Sequence, residues 1–242
     1  MSGQLPALAG VDGCRAGWIA VISLPGQLPF ARVFARFAQI LEALPEDAVL
    51  AVDMPIGLTE SVTAGGRGPE QSVRRLLGER QSSVFSIPSR AAVWASDYRE
   101  ACRISLETSN PPRKVSKQAF NLFPKIREID DLATPQLCSR LHEVHPEVAF
   151  WRLNGEKPMN LPKKIKGKIN PAGMAERMRL LEAHGIPAGL TMSAPPRGAA
   201  QDDLLDACAC LAIAERLARG VAVPFPDPPG KTVTGIPVAI WA

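Results

Sequence analysis

The sequence predicts an α/β protein: strand, strand, strand, helix, strand over the first 57 residues, a mostly helical insertion at about 58–138, and a short fifth strand after it. Three observations carry that reading. Residues 9–21, AGVDGCRAGWIAV, have the pattern of a strand, a tight glycine turn and a returning antiparallel strand. Residues 48–52 form a continuous branched apolar run, which suits a central strand covered on both faces. After residue 57 strand-like runs give way to helix-spaced ones and do not return until about residue 139. A chain of 242 residues has room for one such domain, 1–242, with the insertion inside it.

Taken in order, Gly13 and Gly17 allow the first turn, and Asp12 stands where the first strand leaves the sheet. A carboxylate at that lip must be solvated, hydrogen-bonded or bound to a cation, and the plainest of these is a turn aspartate capping its own backbone. Pro25 and Gly26 turn the chain into a third strand at 28–34. Apolar residues at 37, 40, 41 and 44 give one helix face, which Pro45 ends. The strand at 48–52 follows and closes on Asp53. A strand–helix–strand crossover is right-handed and returns the chain parallel, so a fourth strand beside the first puts Asp12 and Asp53 on one rim. Open α/β sheets bind ligands at such rims.

Within the insertion, helices are expected at 69–77, about 90–107 and 116–132, the last interrupted at Pro124. Arg74, Arg75, Arg80 and Arg90 are its candidates for phosphate contacts, against the ordinary alternative of solvated helix surface. A short fifth strand at 139–143 brings Glu143 toward the rim. His145 reads as a hydrogen-bond partner, a proton shuttle or a plain turn residue, and Glu147 as a first-turn acid favouring its helix dipole. Residues 155–170, GEKPMNLPKKIKGKIN, read as a basic loop in which Lys163, Lys164, Lys166 and Lys168 suit a nucleic-acid backbone. A helix at 174–184 uses Met174, Met178 and Leu181 for core packing and stops at Gly185. A longer helix at 200–220, AQDDLLDACACLAIAERLARG, ends at Gly220, and residues 221–229 and 233–240 can add a short edge strand or hairpin.

The acids of that long helix matter most. At about 100° per residue, Asp203 and Asp206 lie roughly 60° apart, and Asp202 and Asp206 about 40° apart. Two like charges about 4 Å apart at an effective dielectric near 20 repel by roughly 4 kcal/mol, a conflict that a divalent cation removes. Asp12, Asp53, Asp203 and Asp206, with Glu143 in reserve, therefore form the candidate metal and catalytic set. Hard oxygen ligands favour Mg²⁺ or Mn²⁺, and two such ions about 4 Å apart would activate a water and stabilise a leaving oxygen.

Composition narrows the alternatives. Twenty-eight Lys and Arg against 24 Asp and Glu give a net charge of +4, compatible with a polyanionic partner. Aromatic content of 5% gives no sign of a base-stacking platform. The five cysteines are odd in number and lack zinc-site spacing, which fits reduced thiols in a cytoplasmic protein. Neither a leader-like N-terminus nor an apolar run of membrane-spanning length is present.

The motifs GVDGCRAGW (10–18), AVDMPIGL (51–58), SSVFSIPSR (82–90), EVHPEVAF (143–150) and DDLLDA (202–207) resemble a bacterial and archaeal domain-of-unknown-function family, described as predicted ribonuclease H-like nucleases. The resemblance implies a ribonuclease H-like fold: a five-stranded mixed sheet, its first three strands antiparallel, with helices on both faces. The segment 203–207 is also similar to the D-x-x-D-A segment of Holliday-junction resolvases. By position Asp12 matches the first-strand acid, Asp53 the fourth-strand acid (Glu in resolvases), and Asp203 and Asp206 the helical pair. It implies a metal-dependent nuclease, Asp12 bridging the metals. Two alternatives stand beside it. One is an actin-like phosphotransferase, whose first strand has a similar acid-and-glycine turn, but which has two such domains. The chain also lacks a G-x-x-x-x-G-K-[ST] phosphate loop. The other is a non-catalytic binder that retains the fold and its cation site.

Overall fold

Strands apolar on both faces must be covered on both, and the layering follows from this. The structure, a computed structural model, describes residues 5–242. The reading of the N-terminus therefore lies partly outside the described residues, at 1–4. Strand β1 (Leu8–Cys14) buries every residue except Gly13, and β2 (Gly17–Ser23) buries its middle five. β3 (Phe30–Phe34) alternates as an edge strand does. Helix α1 (Phe37–Ala43) crosses to β4 (Val49–Val52), and the fifth strand is Leu141–Glu143.

The sheet order is β3-β2-β1-β4-fifth strand. β1 pairs antiparallel with β2, and β2 with β3, while β4 runs parallel to both β1 and the fifth strand. This is the expected five-stranded mixed sheet. One face carries Ala9, Val11, Trp18, Ala20, Leu50 and Val52 against α1 and the insertion helices Tyr98–Thr108 and Lys117–Leu132. The other carries Leu8, Ile19, Val21 and Ala51 against helices Pro146–Leu153, Pro171–Ala183 and Gln201–Ala218. The last of these packs lengthwise on β1. Its Leu204, Leu205, Leu211 and Ile213 are buried, each contributing about 1.5–3 kcal/mol.

The insertion is mostly helical as expected, with three differences, the first a short parallel pair of strands, Val62–Thr63 and Ser109–Asn110, where none is expected. The expected 90–107 helix is two: Arg90–Val93 ends, and Asp97 caps Tyr98–Thr108 by accepting the Glu100 N–H at 2.9 Å. The 116–132 helix is not interrupted: Pro124 lies inside a continuous Lys117–Leu132. Burial of Ala119, Phe123, Ile126 and Ile129 on one face outweighs the lost backbone hydrogen bond. The C-terminal strands Pro224–Lys231 and Pro237–Trp241 form a hairpin, one of the two expected alternatives, but as a separate two-stranded sheet and not as an edge of the main one. Among the described residues no helix is long and apolar enough to cross a membrane, and all five cysteines are free and buried.

Candidate metal centre

The site begins with the β1–β4 register. Val11 lies opposite Val52, and the Asp53 N–H donates to the Val11 carbonyl at 2.9 Å. Asp12 and Asp53 therefore leave the sheet at one rim. Gly10 brings in the third acid. A Cβ there would lie 2.0 Å from the Leu211 nitrogen and 2.1 Å from the Ala207 carbonyl oxygen, so the helix Gln201–Ala218 lies backbone-close on the strand. This contact sets Asp206, one residue before Ala207, over the rim. One carboxylate oxygen from each of Asp12, Asp53 and Asp206 lies within 4.8 Å of the others.

The grouping is costly for its members. Asp12 accepts the Gly13 N–H at 2.6 Å, so the turn-cap reading of this residue also holds. Even so, burial, then Asp53 and Asp206, push its carboxyl well above the usual range. Asp53 is partly open to the cavity, but its carboxyl sits deep among protein atoms; burial and then Asp206 push it up to about 8. Burial also raises Asp206, against the opposing pull of Lys163. The Lys163 ammonium pairs with Asp206 Oδ2. Burial pulls the Lys163 ammonium down, but Asp206, followed by Asp12 and Asp53, outweighs this and holds it charged. Asp206 Oδ1 is buried with no hydrogen-bond partner. An orphaned oxygen beside two further carboxylates is what a hard cation satisfies, so these residues fit a divalent metal ion.

The other residues read as site candidates lie around this trio in different roles. Asp203 is turned back to accept the Ala200 N–H at 2.9 Å, a helix cap. Asp202 is buried and paired with Lys164 at 2.5 Å. Glu143 ends its strand at the rim, but its two oxygens accept from Arg67 at 2.6 Å and the Ile56 N–H at 2.7 Å. Burial, resisted by Arg67, leaves its carboxyl at about 7. The basic segment is a small hairpin, Lys164–Ile165 with Lys168–Ile169, in which Lys166 and Lys168 are exposed. Lys163 and Lys164 face carboxylates of this chain. Arg90 is exposed, bonds Asp130 at 2.9 Å and lies over Trp94. Arg80 pairs with Glu79, Arg75 is exposed, and Arg74 donates to the Gly65 and Val84 carbonyls. His145 is half-buried, with Nε2 3.3 Å from the Ser83 carbonyl, and desolvation of its ring lowers its pKa.

Sequence reasoning missed Arg67, whose side chain is wholly buried between Glu70 and Glu143 and donates to the Ile56 and Gly57 carbonyls. A signal for it exists. Arg67 sits in GGRGP, and a Cβ at Gly66 (φ +103°) would lie 2.6 Å from Glu70 Oε2. Glycines crowded around one arginine mark a guanidinium boxed in by backbone. Glu147 begins its helix as expected, and it also holds the buried Arg177 at 2.6 Å, which no local pattern indicates.

Asp12, Asp53 and Lys163 line a cavity of about 300 Å³, together with Glu143, His145 and Lys125. Beside it, sharing Val84, Phe85 and Ile87 as a common wall, runs a groove of about 520 Å³. The groove is lined by Arg74, Arg113, Lys114 and several serines, and no carboxylate is among its lining residues.

No curated protein and no solved structure matches the chain. The family model described as "Protein of unknown function (DUF429)" matches residues 10–231, a span that includes Asp12, Asp53 and Asp206. The chain belongs to that family.

Proposed function

We propose that this protein is a Mg²⁺- or Mn²⁺-dependent nuclease with a ribonuclease H-like fold. The observation that carries the proposal is the convergence of Asp12, Asp53 and Asp206, from two parallel strand ends and one late helix, onto a single point. The sheet order, with three antiparallel strands followed by two parallel ones, supports the fold reading. Carboxylate-only ligands support Mg²⁺ or Mn²⁺ over zinc. When bound, the metal supplies a Lewis acid at the phosphoryl oxygen and eases deprotonation of the attacking water.

The remaining contributions belong to the chain. Asp12, Asp53 and Asp206 hold the ion; Asp12 is fixed by the Gly13 N–H and Asp206 by the packing of its helix on Gly10. The acid-free groove lined by Arg74, Arg113 and Lys114 gives a phosphodiester strand a cationic path up to the carboxylates. In the hydrolysis, a water oxygen forms a new bond to phosphorus and loses a proton to solvent. The ester P–O bond breaks, its electron pair stays on the leaving oxygen, and that oxygen takes up a proton. Single-stranded, duplex and branched RNA and DNA incubated with Mn²⁺ test the proposal. Wild type is expected to cleave at least one class, and Asp12→Asn none. Equal residual cleavage by both variants, or metal binding without any cleavage, refutes it and favours a non-catalytic binder.

A further inference from the structure

We infer that this centre holds one divalent ion, not two, and that the Lys163 ammonium stands in the second cation's place. The inference rests on the metal-dependent reading above and specifies its stoichiometry. Asp206 divides its oxygens between two tasks: Oδ2 holds Lys163, and Oδ1 has no partner. Asp206 thus holds the ammonium through one oxygen while its carboxylate also joins Asp12 and Asp53 within 4.8 Å, as an acid shared between two cations would.

Charge gives the same count. Ionised, the three aspartates carry three negative charges; Lys163 supplies one positive charge and a single divalent ion two, so the buried centre is neutral. A second divalent ion would leave two uncompensated positive charges where desolvation is costly. The further acids nearby each have a partner: Asp203 caps Ala200, Asp202 pairs with Lys164, Glu143 is held by Arg67, and Glu147 gives Oε1 to Arg177, leaving its buried Oε2 without one.

Lys163 is fixed as a built element of the site. The Asn170 N–H donates to the Lys163 carbonyl at 2.9 Å, and Asn170 Nδ2 to the Pro162 carbonyl at 2.8 Å. The buried Arg177 donates to the Leu161 carbonyl at 2.9 Å. Gly173 lies so close that a Cβ there would be 2.2 Å from the Pro162 carbonyl oxygen. The segment 161–163 is thereby clamped to the start of the helix Pro171–Ala183, and Lys164–Asp202 holds it from the other side. An ammonium so placed opposes the charge that builds on a leaving oxygen, the work the second ion does in two-metal sites.

The test counts Mn²⁺ on the intact chain by calorimetric titration and by electron paramagnetic resonance, for wild type, Lys163→Met and Lys163→Gln, with folding checked by circular dichroism. Wild type is expected to bind one Mn²⁺ and to give the spectrum of an isolated ion. Both variants are expected to bind two, with the spectrum of a spin-coupled pair, because Asp206 Oδ2 is released. Two coupled ions in wild type, or a count still at one in a folded variant, overturns the inference and leaves the nuclease proposal standing. No Mn²⁺ in wild type removes the metal centre and both readings with it. Should both variants fail to fold, the wild-type count alone decides between one ion and two.

Discussion

Neutralising one member of the trio should stabilise the metal-free protein, and Asp53→Asn is the cleanest case. Its carboxyl is pushed up to about 8, first by burial and then by Asp206, whereas an unfolded chain ionises such a group near the ordinary carboxylate value of about 4. Between those pH values the native state keeps a proton that the unfolded state has lost. Wild-type stability therefore falls as pH rises through this window, and asparagine removes that loss. The size follows from the geometry. Ligand oxygens of the trio lie within 4.8 Å of one another. At an effective dielectric near 20, two unit charges at that distance repel by about 3 kcal/mol. With Lys163 offsetting part of this, Asp53→Asn should gain about 2–3 kcal/mol on wild type between pH 5 and pH 8.5. Urea unfolding of chelator-treated protein at the two pH values measures it. In the second arm, Mn²⁺ at about 100 times its Kd should stabilise wild type by about 2.7 kcal/mol and leave Asp53→Asn almost unchanged. A stability difference identical at both pH values would refute the claim that these carboxylates crowd one another.

Two further perturbations probe what holds the trio in place. Gly10→Ala puts a Cβ 2.0 Å from the Leu211 backbone nitrogen. The helix Gln201–Ala218 must lift, at a cost of about 3 kcal/mol by denaturant unfolding and a drop in Mn²⁺ affinity of about 10-fold or more. Unchanged affinity would show that Asp206 is positioned by some other contact. Arg67→Ala leaves Glu70 and Glu143 buried without their shared cation and should destabilise by about 3–5 kcal/mol. That loss should be larger at pH 8 than at pH 5, since Glu143 titrates at about 7. A loss under about 1 kcal/mol would show the pair to be replaceable by solvent.

How much of the site can be read in advance depends on how far along the chain the controlling contact lies. Asp12 and Asp53 are legible because one short crossover sets two neighbouring parallel strands in register, and the acid after each apolar run then shares a rim. The alternation of Asp202, Asp203 and Asp206 along a helix is equally plain. Which of them faces inward depends on the helix's rotation over β1, and that is set by a glycine some two hundred residues earlier. Lys163 and Lys164 look like a free basic loop in sequence, because nothing local says that Asp206 and Asp202 stand opposite. Pro124 misleads for a related reason: a local penalty is outweighed by burial on one face of the finished helix.

The sequence by itself determined the succession of strands and helices, the two-sided burial of the central strand and the acids that end two of the strands, since periodicity and turn chemistry are local properties of the chain. Tertiary structure alone decided which carboxylates meet, which are already held by arginine, lysine or backbone, and which oxygen is left without a partner. Charges interact through space and not along the chain, so their balance exists only once distant segments have packed together.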